Sequence, residues 1–312
     1  MNQIRIVFMG TSDFAVPSLQ ILLEKGYQVG AVVTVPDKPQ GRGCNILPSP
    51  IKVFADEKGI PVLQPDDLGD ADFIAALESY HAHLYVVVAF RMLPAVVWQK
   101  PPLGTINLHA SLLPNYRGAA PINWAIIKGE KKTGLTTFFI DEALDTGNIL
   151  LQAEEPIYTV DTVGTLSVRL KYKGAKLVLQ SVKAIADGKA IATPQPTASD
   201  VIGYKAPKIY KKNCEIDWSR STEEVYNFIR GLAPYPGAYT ILQDKQVKIL
   251  TTYPLELSGM LPGALYSDGK SYLHIGTSDG VLAIEALQPA GKKIMDIQSF
   301  LQGHKLCAPS LK

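Results

Sequence analysis

Three apolar runs, Ile4–Phe8, Tyr27–Val35 and Leu84–Ala89, carry no strict alternation of polar and apolar residues. A strand with one wet face alternates, so uninterrupted runs mark strands covered on both faces. Between them, Phe14–Lys25 and Asp70–Tyr80 have helical periodicity, with Asp13 a candidate N-cap for the first. Strand, helix and strand in steps of about thirty residues describe βαβ units and a largely parallel sheet. Further strands are expected over Gly104–His109 and Leu135–Ile140. A long helix is expected over Val163–Ala186, capped by Asp161 or Thr162 and stopped at Gly188.

The texture changes after Gly188. Residues 192–199 hold two prolines among small polar residues and suit an extended linker. Beyond Ala206, Ser221 and Glu224 have capping-box spacing for a helix over Ser221–Leu232. Short strands are expected at Ala238–Leu242, Gln246–Leu250, Gly263–Ser267, Tyr272–Ile275 and Val281–Leu287. The predicted architecture is α/β: a Rossmann-like, mostly parallel sheet domain (1–188), a linker (189–205) and a small OB-like β-barrel domain (206–312). A chain of 312 residues has room for two such domains, and 46% hydrophobic with 19% charged residues excludes a disordered or fibrous chain.

Lys and Arg total 31 against 29 Asp and Glu, which excludes a strongly basic nucleic-acid binder. The excess is local: residues 1–205 carry 19 of each sign, whereas 206–312 carry 12 basic and 10 acidic residues. An ordinary solvated surface accounts for an excess of two as readily as a nucleic-acid face does. Cys44, Cys214 and Cys307 form no ligand cluster and suit reduced thiols in the cytoplasm. No apolar stretch approaches membrane-span length, and the chain enters its first strand directly, without a leader.

The first strand-to-helix turn, Met9–Asp13, holds only Gly10 where a dinucleotide fingerprint needs three glycines, which argues against NAD or FAD. A tight turn explains Gly10, although a helix N-terminus there could also hold a phosphate or carboxylate. The richest chemistry lies in Ile106–Pro121. Asn107 and His109 are two apart on an expected strand and share a face where it ends. An amide beside an imidazole can stabilise an oxyanion while a proton moves, yet such a pair is equally at home in a core. The Asp141–Gly147 loop offers Asp145, which could orient His109 and favour its protonated form, or be plain turn chemistry. Ser111 lacks a nucleophile elbow, and no HExxH or P-loop is present. Group transfer without metal, nicotinamide or covalent intermediate remains.

At these residues the chain resembles folate-dependent formyltransferases. Their pattern N-x-H-x-S-L-L-P-x-x-x-G-x-x-P matches Asn107, His109, Ser111–Pro114, Gly118 and Pro121, followed by L-D-T-G at Leu144–Gly147. The resemblance implies 10-formyltetrahydrofolate as co-substrate. It makes Asn107 and His109 the stabilisers of a tetrahedral intermediate and Asp145 the holder of His109. Folate would lie against Phe90, Arg91, Met92, Leu93 and Asp141, with Ser111, Leu112, Leu113 and Pro114 as another wall. Many members have glycine where Arg91 stands. The stretch Pro36–Lys52, fifteen or so irregular residues, looks like the insertion loop of members that formylate initiator methionyl-tRNA. That implies tRNA contacts at Gly10, Thr11, Lys38, Arg42, Lys208, Lys211, Lys212, Lys292 and Lys293, with a monomer as the default state. Cys44 and Asn45 stand where members often carry lysines. A formyltransferase acting on a small amine such as an amino sugar nucleotide, a 10-formyltetrahydrofolate hydrolase, and a non-enzymatic nucleic-acid-binding module are the alternatives.

Overall fold

Arg5–Gly10 lies near the middle of a seven-stranded sheet in the computed structural model, which describes residues 4–40, 45–196, 204–304 and 306. It pairs in parallel with Leu84–Val88 on one side and Gln28–Val33 on the other. Thr105–His109 and Val62–Leu63 extend the parallel region outward. Lys132–Phe139 then joins Thr105–His109 antiparallel, and Ile149–Pro156 forms the edge. Burial explains the unpatterned apolar runs: Ile6, Val7, Phe8 and Met9 and all of Leu84–Val88 are buried. The edge strand alternates partly buried and exposed positions through its second half, as a strand with one wet face should.

Asp70 caps Ala71–Ser79 by accepting the Phe73 N–H at 3.0 Å. Asp13 does not cap Val16–Glu24. The N-cap is Ala15, closed by backbone turns, and Asp13 pairs with Lys171 at 2.9 Å. Pro17 in that helix's first turn removes a donor that a cap would otherwise serve. The Val163–Ala186 helix has its expected bounds, with Thr162 accepting from Thr165 N.

The described residues of the Pro36–Lys52 stretch are not irregular. Lys38–Gln40 pairs antiparallel with Asn45–Leu47, and a helix begins at Pro50 with Ser49 as its N-cap. Asp37 anchors the hairpin's base by accepting from Lys52 Nζ at 2.6 Å and Gln64 Nε2 at 2.7 Å. These donors hold the Asp37 carboxyl below its ordinary range.

Contacts divide the chain into two units: 1–117, 134–155 and 167–205 form one, and 118–133, 156–166 and 206–312 the other. The second unit is built on antiparallel strands in the order Ala238–Leu242, Lys245–Leu255, Val281–Pro289, Leu273–Gly276, Leu265–Ser267, with Met295–Asp296 added to Val281–Pro289. Register shifts near Thr251 bend the long second strand, so the sheet curls into a half-barrel. Helix Thr222–Leu232, with the Ser221/Glu224 capping box in place, buries Val225, Ile229 and Leu232 in this unit's core. Helix Pro121–Ile127 packs on it. A Cβ at Gly231 would stand 2.6 Å from Ile127 Cγ1, and Asn123 Nδ2 donates to Gly231 O at 2.8 Å.

Candidate active site

His109 ends its strand at the carboxyl edge of the parallel sheet, the edge where Gly10 and Val88 also finish theirs. It is 6% exposed. Its Nε2 lies 2.9 Å from Tyr116 O. A carbonyl only accepts, so Nε2 carries a proton. Nδ1 faces Asp145 Oδ2 at 3.8 Å, with the two side chains 7% and 10% exposed. That gap is too long for a hydrogen bond, which leaves Nδ1 as the ring nitrogen able to engage a reacting group. Two residues back on the same face, Asn107 is half-buried, and its amide bonds to no described residue.

The loop after His109 is held from beneath. Thr136 Oγ1, fully buried, donates to Ser111 O at 2.7 Å and accepts from Leu113 N at 3.1 Å and Gln152 Nε2 at 2.9 Å. Gln152 also donates to Leu113 O at 2.9 Å. Leu112 packs over Gly134, where a Cβ would meet it at 2.4 Å. Ser111 and Leu113 are buried, and the Ser111 hydroxyl donates to Asn115 O at 2.6 Å, so both shape the loop; Leu112 and Pro114 stay partly open.

The Asp145 loop is seated by Gly147, whose Cβ, if it had one, would lie 1.7 Å from Phe139 O. Only glycine lets the loop base sit this close to the strand. Asp145 itself has φ +56, in the left-handed region that Asp tolerates better than most residues. Asp141 is exposed on this loop and accepts from Thr146 Oγ1 at 2.7 Å.

On the neighbouring strand end, Ala89 also adopts a positive φ, +50, and starts the Phe90–Leu93 turn. Leu93 is buried and Phe90 packs against the same core, whereas Met92 is 77% exposed. Arg91 reaches away, its guanidinium donating to Asp66 O at 2.7 Å and to Pro65 O. Gly10 is a packing glycine; a Cβ there would stand 2.8 Å from Ala15 Cβ. Thr11 follows it, partly exposed. Among the described residues no group of three or more His, Cys, Asp or Glu is placed to hold a metal, and no helix is long and apolar enough to cross a membrane.

A formyl transferase family model matches residues 4–182, and a model of the formyl transferase C-terminal domain matches 208–305. The chain belongs to the formyl transferase family. It is 47% identical over 98% of its length to the methionyl-tRNA formyltransferase of Bacteroides fragilis strain YCH46, covering 96% of that protein. With the enzyme of the same name from Parabacteroides distasonis it shares 48% identity over 98% of each chain. Among solved structures, HypX from Aquifex aeolicus in complex with tetrahydrofolic acid superimposes with a TM-score of 0.66 at 20% identity, over 99% of this chain. The chain spans about half, 49%, of HypX. An N-formyltransferase from Helicobacter canadensis, solved with folinic acid and dTDP-3-aminofucose, gives 0.65 at 21% identity, with 92% of this chain and 99% of that one covered. At these identities the structures show the fold alone.

Of the other lysines named from sequence, Lys208, Lys211, Lys212, Lys292 and Lys293 belong to the second unit and Lys38 to the first. Lys208 and Lys211 line a cavity of about 400 Å³ in the second unit. Lys212 is exposed beside them on the Lys211–Asn213 turn. Lys292 and Lys293 are exposed on the turn after Val281–Pro289, where Ala290 N donates to Gln246 O next to the cavity. Lys38 is exposed on the hairpin, and Arg42 lies outside the described residues. Sequence reasoning missed the cavity's other cation and its aromatic, Lys248 and Tyr235. Tyr235 is 80% exposed, with Lys248 Nζ 5.8 Å from its ring centre, and Lys208 stands likewise 5.5 Å from the Tyr210 ring. The Pro234-Tyr235-Pro236 run was the available signal, since prolines on both sides hold an aromatic in the open.

Proposed function

We infer that this chain transfers the formyl group of 10-formyltetrahydrofolate to the α-amino group of methionyl-tRNA, and that its tRNA is the initiator. The carrying observation is the buried His109–Asp145 pair beside Asn107, in a chain 47% identical to methionyl-tRNA formyltransferases over 98% of its length.

The methionyl amine attacks the formyl carbon, a C–N bond forms, and negative charge develops on the formyl oxygen. The Asn107 amide, free of bonds to described residues, supplies a donor for that oxygen. His109 Nδ1 takes or relays the proton that the attacking nitrogen must lose, and folate N10 receives one as its bond to the formyl carbon breaks. With Nε2–H already given to Tyr116 O, a second proton on Nδ1 faces the Asp145 carboxylate, so both ring protons then have partners. The donor is a flat heteroaromatic ring system. Half-buried Phe90, exposed Met92 and the open parts of Leu112 and Pro114 offer it apolar walls. The tied-back Arg91 leaves that space unblocked.

For the acceptor, Lys38, Arg42 four residues on in the sequence, and Lys208, Lys211, Lys212, Lys292 and Lys293 supply cations for a phosphate backbone. A small amine needs none of them. Charged tRNA places the enzyme in the cytoplasm. The test is formyl transfer from 10-formyltetrahydrofolate to methionyl-tRNA, run beside an amino sugar nucleotide and a no-acceptor control. Transfer to tRNA alone is expected; preferential transfer to the sugar or to water would overturn the reading.

A further inference from the structure

We propose that the linker is part of the catalytic apparatus, with Gln195 a positioning residue that holds the Asp145 carboxylate, and through it His109, in place. The proposal rests on the formyl-transfer reading above.

One amide group makes the attachment. Gln195 Nε2 donates to Asp145 O at 3.0 Å and to Gly147 O at 2.8 Å, so both its N–H bonds are spent on the catalytic loop. The opposite side of the amide is fixed as well: Gln195 Oε1 accepts from an Arg117 guanidinium nitrogen at 2.6 Å. A guanidinium only donates, so the amide cannot turn over without losing all three bonds. Two residues earlier, Thr193 and Ile149 exchange backbone bonds at 2.8 Å in each direction, which sets the height of Gln195 over the loop.

The loop needs this fastening. Residues 141–144 are exposed, and within the loop Thr146 Oγ1 donates to Asp141 Oδ1 at 2.7 Å and to Ala143 O at 3.0 Å. Asp145 sits at φ +56, a conformation that persists only when its surroundings enforce it. The linker meets the other half of the pair too. Tyr204 O accepts from Tyr116 N at 2.6 Å, and the two rings stack 5.7 Å apart. Tyr116, at φ +60, is the residue whose carbonyl accepts the hydrogen bond from His109 Nε2–H. Gln195 and Tyr204 thereby bond the linker to the loop that carries the carboxylate and to the residue that orients the imidazole.

Gln195→Met keeps length and volume while removing both donors and the acceptor. In formyl transfer to methionyl-tRNA, kcat is expected to fall about 10–100-fold, the scale of an ångström-sized misplacement, with KM for either substrate changed less than about twofold. Placed on Asp145→Asn, the same substitution should cost less than about twofold, because its target is already gone. Equal losses in both backgrounds would overturn the proposal in favour of a purely structural role, as would parent-like kcat in the single variant. If the parent itself transfers nothing to methionyl-tRNA, the functional reading fails, and amide hydrogen exchange over residues 141–148 judges the positioning separately. Faster exchange in Gln195→Met supports it, and unchanged protection overturns it.

Discussion

Replacing Asp145 by Asn keeps the side chain's shape and removes its charge, which isolates what that charge does for His109. The carboxylate oxygen is 3.8 Å from Nδ1, and both side chains are at most 10% exposed. At that separation an imidazolium and a carboxylate attract by about 4 kcal/mol with an effective dielectric constant near 20, and by about 1 kcal/mol in bulk water. In the proposed mechanism the ring bears its extra proton as the attacking amine gives one up, so the lost attraction would be felt in the transition state more than in the ground state. A factor of ten corresponds to about 1.4 kcal/mol, and the expected loss in kcat is therefore about 10³-fold, bounded below by about fivefold if water fills the gap. Single-turnover formyl transfer with both substrates saturating reads this directly, and far-ultraviolet circular dichroism checks that the variant is folded. A folded Asp145→Asn protein within twofold of the parent would refute the assignment, since even full solvent screening predicts more.

Thr136→Val leaves the Leu113 N–H and the Ser111 carbonyl without their buried partner. It should cost about 1–3 kcal/mol in urea unfolding and lower kcat, and a neutral result would mean that the loop is held by other contacts. Burial holds the His274 imidazole below its ordinary value, against a smaller opposing pull from Asp268, and Nδ1 has no hydrogen-bond partner among the described residues. Because the folded value lies below the unfolded one, this stability is present above about pH 6.5 and falls as pH drops through the folded value; His274→Asn should flatten the slope of unfolding free energy as pH falls below about 6.5, and identical slopes would count against it. Tyr235→Ala removes an exposed ring beside Lys248 and should weaken methionyl-tRNA binding about tenfold while KM for the folate donor stays constant, the scale of one lost stacking contact; equal effects on both substrates would move Tyr235 off the tRNA surface.

The parallel strands were legible because burial on both faces leaves a trace that any reader of Ile4–Phe8 or Leu84–Ala89 can see. Local chemistry was legible too: Ser221 with Glu224, Asp70 before its helix, and Asn107 with His109 at strand spacing each depend on neighbours a few residues away. Features built from distant partners were hidden. The Pro36–Lys52 stretch carries the proline and glycine of a loop in its sequence, and the strand pairing within it appears only when Lys38 and Leu47 are set opposite each other. Ser49 followed by Pro50 was a helix start that passed unread within it. Asp13 looked like a cap because the rule is local, and it was claimed by Lys171 from 158 residues away. Gln195 in a proline-rich stretch is indistinguishable from spacer until Asp145 and Arg117 are beside it.

Segments 118–133 and 156–166 are interleaved with the first unit in the chain yet pack with 206–312. The two halves of this molecule are thus not separable by a single cut. A fragment starting at Ala206 would leave the Gly231 side of its helix without Asn123 and Ile127, and would leave buried Arg230 without the Asp161 carbonyl that it holds at 3.0 Å. An exchange of the second unit between relatives would have to carry all three stretches together, so in this architecture it cannot be shuffled as one continuous piece of chain.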